Sequence, residues 1–489
     1  MNFFKYLWTR YHPNYVRALI YMLQANEYYP FEYMAWYHRT NDFYNIEKRK
    51  HLVYTLKAIL LSAFAWISLV WSFASSAIFI YWSQVPGIVA AIAGFILAPF
   101  IVPYTLFLLI VFLNALQKPV EAVIVSRAKA KLKRHKAIKI AVAGSFGKTT
   151  MREILKTVLS QGKRVAAPGG SHNTPLAIAR FVKTLAGDEE VLVFEFGEYY
   201  PGDIKKLCNF VEPNWGVITG VNEAHLERFG SLEKAAKTIY ELVDYLKAKS
   251  GSFSKGSLQQ EILGYVNAEG TYQPPRDPSS FVYYDKRGTP SWEVTTVESS
   301  VNGLIIGFAY NGEHYQMRSR LLGVHNVGPI AAAADIASRL GLSPEQIGMG
   351  VGQTKPYEHR MQPNLDGGVT WIDDSYNGNP DGAAAAIAFL KSLEGSRRWY
   401  VTPGLVEMGS RKEEIHREMG KKLAEAKIEK VVLIKNSVTP YIEEGLKAAG
   451  YAGEILWYDF GPTAFNALPK MTVAGDVVLL QNDWPDQYE

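Results

Sequence analysis

Gly144-Ser145-Phe146-Gly147-Lys148-Thr149-Thr150 follows Ala137-Ile138-Lys139-Ile140-Ala141-Val142-Ala143, a run that reads as a buried strand. A helical pattern comes after it, with Met151, Ile154, Leu155 and Val158 on one face. Strand, glycine loop and helix are the context a phosphate-binding loop requires. Glycines let backbone N–H groups approach phosphate oxygens, and the helix N-terminus adds favourable potential for an anion. Gly144, Ser145, Gly147, Lys148, Thr149 and Thr150 are therefore the expected nucleotide contacts, with Lys148 reaching the outer phosphates and Thr149 offering a hydroxyl to magnesium. Val142 stands where the general pattern has its first glycine, so the strict motif is not met.

The sequence upstream of the loop is of a different kind. From Ala58 to Trp82 the only polar side chains are serines, Tyr81 and the indole nitrogens. At about 1.5 Å per residue this run covers roughly 37 Å, more than the ~30 Å hydrocarbon layer of a bilayer. A break at Ser83-Gln84-Val85-Pro86-Gly87 leads into a second uncharged stretch, Ile88 to Leu116, interrupted by Pro99 and Pro103 as a membrane helix tolerates. The reading is a two-span hairpin, and the rival is a buried helical pair in a soluble protein. A cleaved signal peptide fits neither the length nor the distance from residue 1. Lys48, Arg49 and Lys50 precede the first span; Lys118, Arg127, Lys129, Lys131, Lys133, Arg134 and Lys136 follow the second. Positive charge on both flanks predicts that both ends face the cytoplasm, with the lipid bilayer as a partner. The basic run 127–136 is either a juxtamembrane helix drawn to anionic lipid or a solvated charged face. Residues 1–51 are crowded with Tyr, Trp and Phe, which suits either a headgroup-level aromatic layer or ordinary core packing.

A length of 489 residues suggests about three domains. A formal charge of +5 over that length is only mildly basic and gives no reason to expect nucleic acid as a partner. The single cysteine, Cys208, rules out an internal disulfide framework or a cysteine metal cluster and fits a reducing cytosol.

Four later stretches carry further chemistry. Glu195, in Val193-Phe194-Glu195-Phe196-Gly197, and His225, in Val221-Asn222-Glu223-Ala224-His225-Leu226-Glu227-Arg228-Phe229-Gly230-Ser231, each follow an apolar strand-like run. Ligands of open parallel sheets collect at strand carboxyl ends. A carboxylate, the Thr149 hydroxyl and an imidazole could share magnesium with ATP phosphates, although His is an unusual magnesium ligand. On the residues alone His225 reads as lying one layer behind the metal. Asp373 and Asp374, in Ile372-Asp373-Asp374-Ser375-Tyr376-Asn377-Gly378-Asn379-Pro380, follow another strand; such a pair binds ribose hydroxyls, positions a phosphate-bound metal or caps a turn. The fourth stretch is Gly323-Val324-His325-Asn326.

Taken with the phosphate loop, and with Pro201-Gly202-Asp203-Ile204 after the Glu195 strand, these stretches resemble the Mur ligase family, ATP-dependent enzymes that add amino acids or dipeptides to the peptidoglycan precursor. The similarity is greatest to the branch that adds D-alanyl-D-alanine, and covers residues 138 to about 410. The resemblance implies ATP and magnesium as cofactors, with Thr149, Glu195 and His225 on the metal and Lys148, Glu195 and His225 in catalysis. It implies nucleotide contacts from His325, Asn326, Asp373 and Asp374, a phosphate clamp from Arg360, and substrate contacts from Asn173 and Thr174. The family usually carries a carbamylated lysine on the helix after the histidine. That position is Ile239 here; either Lys237, two residues earlier, takes the role in a shifted register, or the bridging carbamate is absent.

Other departures are Pro329 where the family usually has Asn, the absence of an acid directly after Gly404, and Gln481-Asn482-Asp483-Trp484-Pro485-Asp486 in place of a Lys-Gly-Ser segment. The hairpin stands where soluble members grip the UDP-sugar.

The expected fold class is α/β. A phosphate-loop, Mur-ligase-like central domain spans 138–354, β-rich between Gly251 and Gln316 and returning to the core pattern with a helix from Ile330 to Leu340. A smaller doubly wound α/β domain spans 355–489, with strands near Val369–Ile372, Trp399–Thr402, Val431–Ile434 and Val477–Leu480. Before them come an aromatic leader (1–51), two transmembrane helices (52–116) and a basic linker (117–137). The implied reaction activates a carboxylate as an acyl phosphate that an amine displaces, on a cell-wall precursor or a related carboxylate acceptor. Ligation in another amide polymer or on a lipid-linked glycan, or a non-catalytic ATP-binding scaffold, are the alternatives.

Overall fold

The computed structural model describes residues 8–44, 46, 51–82, 85–170, 172–222, 229–250, 262–270, 272, 276–376, 378–406 and 408–482. His225 lies outside them. The chain divides into two compact units, Met1–Val123 with Pro485–Glu489, and Ile124–Trp484.

The first unit contains helices α1 (Asn14–Ala25), α2 (Pro30–Arg39), α3 (Leu56–Trp82) and the start of α4 (Val85–Arg134). Helix α3 buries a narrow stripe, Ala58, Leu61, Ala65 and Leu69, at helical spacing, while Ile59, Leu60, Trp66, Ile67, Val70 and Trp71 point outward. The stripe packs with Tyr15, Leu19, Tyr33, Trp36 and Phe43 of the leader and with Ala98, Val102, Leu106 and Ile110 of α4. Of the two readings of the leader, core packing is the one these side chains adopt.

Pro99 and Pro103 lie inside α4 without ending it. A proline has no N–H to give the carbonyl four residues back. The carbonyls so released, those of Phe95 and Pro99, accept hydrogen bonds from the hydroxyls of Tyr11 (2.8 Å) and Tyr15 (2.7 Å). The helix runs on to Arg134, through a third proline at Pro119 and past the expected end of the second apolar stretch at Leu116. Among the described residues two segments, Leu56–Ser75 and Gly94–Arg134, are long and apolar enough to cross a membrane.

The second unit holds two doubly covered sheets. In chain order the first part contains β1 (Ile138–Ala143), α5 (Lys148–Leu159), β2 (Val165–Ala166), α6 (Pro175–Thr184), β3 (Val191–Glu195), α7 (Asp203–Val211), β4 (Trp215–Ile218), α8 (Leu232–Ser250), β5 (Gly264–Asn267) and β6 (Phe281–Tyr284). Its six strands run parallel in the order β2-β3-β1-β4-β5-β6. Alternate residues of the central strands feed opposite cores, as the period of a strand dictates. Ile140, Val142, Val193 and Val217 meet α5 together with α9 (Val327–Arg339) and α10 (Pro344–Gln353). Ala141, Ala143, Phe194 and Ile218 meet α6, α7, α8 and Ala128 and Leu132 at the end of α4. Within the region expected to be β-rich, β5 and β6 extend the parallel sheet; β7 (Glu293–Ser300), β8 (Gly303–Tyr310) and β9 (Glu313–Ser319) form a separate antiparallel meander.

The last part contains β10 (Gln362–Asp366), β11 (Val369–Asp374), α11 (Pro380–Lys391), β12 (Arg398–Thr402), α12 (Lys412–Glu425), β13 (Lys430–Ile434), α13 (Thr439–Ala448), β14 (Glu454–Tyr458), α14 (Gly461–Met471) and β15 (Val477–Gln481). The sheet order is β10-β11-β15-β12-β13-β14, with only β10 antiparallel to its neighbour. Helices α11, α12 and α13 cover one face and α14 the other. The four expected strands are its inner members; the two edges, β10 and β14, escaped the sequence reading. Gln362-Pro363-Asn364-Leu365-Asp366 lacks the apolar run that marks a buried strand, and β10 is ordered by its hairpin with β11 across Gly367 and Gly368, both at positive φ.

Candidate active site

Strand β1 delivers the phosphate loop between the carboxyl ends of β3 and β4, its two neighbours. Gly144 is required there by space: at φ 147°, a Cβ would lie 2.2 Å from Thr219 Oγ1 and 2.9 Å from the Gly220 carbonyl. Thr219 pins the loop by donating to the Phe146 carbonyl, and the Ser145 N–H donates to Gly220 O at 2.9 Å. Gly147, at φ 71°, turns the chain into α5. Lys148 does not extend freely over the loop: its ammonium donates to the loop's own Gly144 carbonyl and pairs with Glu198 at 2.8 Å.

The Thr149 hydroxyl donates to Glu195 Oε2 at 3.0 Å, so the two expected metal ligands are in contact. The same carboxylate accepts from Arg152 Nη1 at 3.1 Å and from Asn173 Nδ2 at 3.4 Å. Arg152 is wholly buried and also bonds Glu153 and the Gly170 carbonyl. Sequence reasoning missed Arg152 and Glu198. Arg152 carried a local signal, three residues past Thr149 and therefore on the same helix face; Glu198, in the irregular segment after β3, carried none.

The residues available for magnesium are hard oxygen donors, which suit that ion. Asn173 Oδ1 is buried beside Glu195 without a hydrogen-bond partner, an orphan acceptor of the kind a cation satisfies. Among the described residues no three His, Cys, Asp or Glu side chains converge as a metal cage. Magnesium commonly needs none, being held by one or two carboxylates together with substrate phosphates. The donor set fits the ion.

A cleft of about 290 Å3 opens between the two sheets, lined by Phe146, Gly147 and Thr150 of the loop, by His325 and Asn326, and by Arg360, Asp374, Tyr376 and Asn379 from the later domain. Arg360 lies over the Tyr376 ring, 4.6 Å from its centroid. Its neighbours His359 and Met361 hold left-handed backbone angles, φ 60° and 47°, which non-glycine residues seldom adopt. This contorted segment aims the Met361 N–H at Asp374 Oδ1 (3.1 Å), while Gln481 Nε2 donates to Oδ2 (2.9 Å). Burial pushes the Asp374 carboxyl up to about 7, against the pull of those two donors and of Arg360. Asp373 is not in the cleft lining; it pairs with His359 at 2.7 Å and accepts the Ser375 N–H, the turn-capping alternative for this residue.

Two asparagines that the sequence did not flag tie the site together. Asn379 caps α11 by accepting the Gly382 N–H and also accepts from Asn222 Nδ2 at 2.8 Å, joining the segment after β4 to the later domain. Asn482 donates to the Gly404 carbonyl and accepts the Gly378 N–H, knotting two loops at the end of β15. Of the expected substrate contacts, Asn173 sits in the acidic cluster, and the Thr174 hydroxyl caps α6 by accepting the Ala177 N–H.

Lys237 lies on α8. It is exposed and lines a separate surface groove with Tyr240, Asp244 and Lys247. Ile239 is buried in the core beneath the sheet. Two residues along a helix turn the side chain by roughly 200°, so Lys237 cannot substitute for position 239 by a small shift.

The Mur ligase middle domain matches residues 142–337 and the Mur ligase glutamate ligase domain residues 359–481. The UDP-N-acetylmuramoyl-tripeptide–D-alanyl-D-alanine ligase of Bacillus subtilis is 27% identical over 357 residues, 72% of this chain and 75% of that protein. Its counterpart in Treponema pallidum is 26% identical over 279 residues, and there the chain spans 57% of the relative's length. MurF from Acinetobacter baumannii shares the fold at TM-score 0.63 and 20% identity, over 75% of this chain and 78% of that one. MurF ligase from Thermotoga maritima in complex with ADP does so at TM-score 0.63 and 23% identity, over 75% and 81%. With a phosphate loop, two doubly covered sheets facing one cleft, and both catalytic domains matched in order, the chain belongs to the Mur ligase family of ATP-dependent amide-bond-forming ligases.

Proposed function

We propose that this ligase is anchored in the cell membrane by a two-pass hairpin, with both termini and the catalytic domains in the cytoplasm. There it joins an amine donor such as D-alanyl-D-alanine to a carboxylate of a peptidoglycan precursor. The observation that carries the catalytic reading is that Gly147 and Thr150 of the phosphate loop and Arg360 and Asp374 of the later domain line one cleft, with Thr149 bonded to Glu195 and the Glu195 carboxylate within electrostatic reach of Arg360. The anchor is supported by the outward apolar faces of α3 and α4 and by the basic flanks.

In the reaction an acceptor carboxylate oxygen attacks the γ-phosphorus of ATP and ADP leaves; the donor nitrogen then attacks the acyl carbon and phosphate leaves. The residues contribute mainly position and charge. Lys148 turns to the outer phosphates, Arg360 meets the transferring group from the later domain, and Asp374 with His325 and Asn326 lines the nucleotide's place. Thr149 and Glu195, with His225 the further ligand that the family resemblance implies, would hold magnesium, which would supply charge neutralisation at the phosphoryl group. Asn173 and Thr174 are the proposed acceptor-side contacts.

The test is incubation of the purified protein with ATP, magnesium, UDP-N-acetylmuramoyl-tripeptide and D-alanyl-D-alanine, scoring phosphate release and amide product. Lys148→Ala is expected to lower product formation by roughly 10²-fold or more; unchanged product would refute the assignment. Nucleotide binding without turnover on any acceptor would favour a scaffold. Turnover only with a lipid-linked glycan or another polymer would redirect the substrate. Release of the protein from membranes by alkaline carbonate would overturn the anchor.

A further inference from the structure

We propose that Tyr357 is a positioning residue that ties the loop at Gly170 to the turn carrying Arg360, so that the arrival of ATP and the seating of the acceptor reinforce each other through it. This rests on reading Asn173 and Thr174 as acceptor-side contacts and Arg360 as the phosphate clamp.

Tyr357 lies in the linker between the two matched domains, after α10 ends at Gln353 and before β10 begins at Gln362. Its backbone and its side chain serve different partners. The Tyr357 carbonyl accepts the Arg360 N–H at 3.1 Å, closing the turn that brings Arg360 to the cleft. The phenol oxygen accepts the Gly170 N–H at 3.1 Å, from 187 residues earlier in the chain. The ring lies beside Arg152, whose guanidinium carbon is 5.8 Å from the ring centroid. One residue of the linker thus meets the turn of the clamp, the loop at Gly170 and the cation that neutralises Glu195.

Gly170 is gripped on both of its polar groups. Its N–H goes to Tyr357, and its carbonyl accepts from Arg152 Nη1. It sits at φ 58°, the left-handed region that favours glycine, with nothing within 4 Å of where a Cβ would lie. Three residues on, Asn173 is fixed by the Gly197 N–H, which donates to its carbonyl at 3.0 Å, and by its contact with Glu195. Arg152, Gly197 and Glu195 all belong to the same domain as the loop; the Tyr357 bond is the one that joins it to the linker. A displacement of Arg360 toward a nucleotide carries the Tyr357 turn with it, and the phenol passes that displacement to Gly170. The coupling works equally in reverse: an acceptor that orders the loop holds Tyr357, and with it Arg360, in place.

The experiment uses the full chain in detergent with magnesium and the non-hydrolysable analogue β,γ-imido-ATP. The variant is Tyr357→Phe, which keeps the ring beside Arg152 and removes only the hydroxyl. Hydrogen exchange is read on peptides covering 165–174 and 355–361, with and without the analogue. In the parent the analogue should slow exchange in both. In Tyr357→Phe it should slow 355–361 alone, with its own affinity unchanged. Steady-state kinetics with UDP-N-acetylmuramoyl-tripeptide and D-alanyl-D-alanine should show the KM for the tripeptide raised about fivefold, the worth of one hydrogen bond, and the KM for ATP unchanged. A phenol that serves only the fold would lower the melting temperature and leave the response of 165–174 to nucleotide intact. Protection of 165–174 that persists in Tyr357→Phe, or an equal rise in both KM values, would overturn the proposal. If that protection is lost in the variant while the parent turns over no UDP-linked tripeptide, the linkage stands and the acceptor assignment fails instead.

Discussion

Replacing Arg152 by methionine keeps the length and apolar stem of the side chain and deletes only the guanidinium. Arg152 has no exposed side-chain surface, and the Glu195 carboxylate it pairs with at 3.1 Å is 3% exposed. Breaking a buried ion pair from one side costs about 3–5 kcal/mol, because the remaining charge is left uncompensated. Thr149 and Asn173 still donate to Glu195, which argues for the lower end, about 3 kcal/mol, a factor of roughly 10² in the opening equilibrium. Native-state hydrogen exchange read on peptides spanning β1 and β3 isolates this domain from the rest of the chain, and their slowest amides should exchange about 10²-fold faster. In Arg152→Met/Glu195→Gln the stranded charge is gone, so most of the loss should return. Magnesium should also protect Arg152→Met more than the parent, since the freed carboxylate can now accept the ion. If the double variant is as unstable as the sum of the two singles, Arg152 does not neutralise Glu195 and the charge accounting at the phosphate loop is wrong.

Three further outcomes follow from contacts already described. Asp374 binds its proton more tightly folded (about 7) than as an ordinary carboxyl (3.8), so folding stability falls as pH rises from about 4 to about 7 and then levels; Asp374→Asn should remove that loss, raising the melting temperature relative to the parent at pH 8 and much less at pH 4. Asn379→Ala loses both a helix cap, worth about 1 kcal/mol, and the bond to Asn222, whereas Asn379→Ser keeps a cap and loses the reach. Faster proteolysis at 354–361 in both variants would assign the effect to the inter-domain bond, and in Asn379→Ala alone to the cap. Tyr15→Phe should destabilise the N-terminal unit by about 1–3 kcal/mol in thermal unfolding, because the buried Pro99 carbonyl loses its donor.

What could be read in the sequence was whatever is decided locally. The phosphate loop is one such case, since glycine spacing, a lysine and a threonine are fixed by the chemistry of a single turn. The inner strands are another, because burial on both faces writes itself as an unbroken apolar run. Glu195, His325, Arg360 and Asp374 were named through family likeness; the last three line one cleft, and Glu195 lies against Thr149. Asn222, Asn379 and Asn482 were invisible because the partners that tie them into the site lie more than a hundred residues away, and an isolated Asn carries no periodic signal. Lys237 shows the converse: positions 237 and 239 are neighbours in sequence, yet the helix puts one on a surface groove and the other in the core. The edge strand β10 was lost because an edge buries little and so needs little apolar sequence; β14 carries the apolar run Ile455-Leu456-Trp457-Tyr458 and was passed over without that excuse.

The tyrosine contacts of α4 have a consequence for how the first unit finds its register. Prolines at 99 and 103 open two acceptor vacancies spaced four residues apart, at the carbonyls of 95 and 99; the leader presents two hydroxyls with the same spacing, at 11 and 15. Apolar side chains alone would let one helix slide along another by a turn at small cost, above all where no water surrounds them. Matching a pair of hydroxyls to a pair of vacant carbonyls turns that slide into a lock with a single keyed position, because a displacement of one turn leaves a tyrosine and a carbonyl both unmet. Prolines that look like interruptions thus serve as the address at which the leader docks.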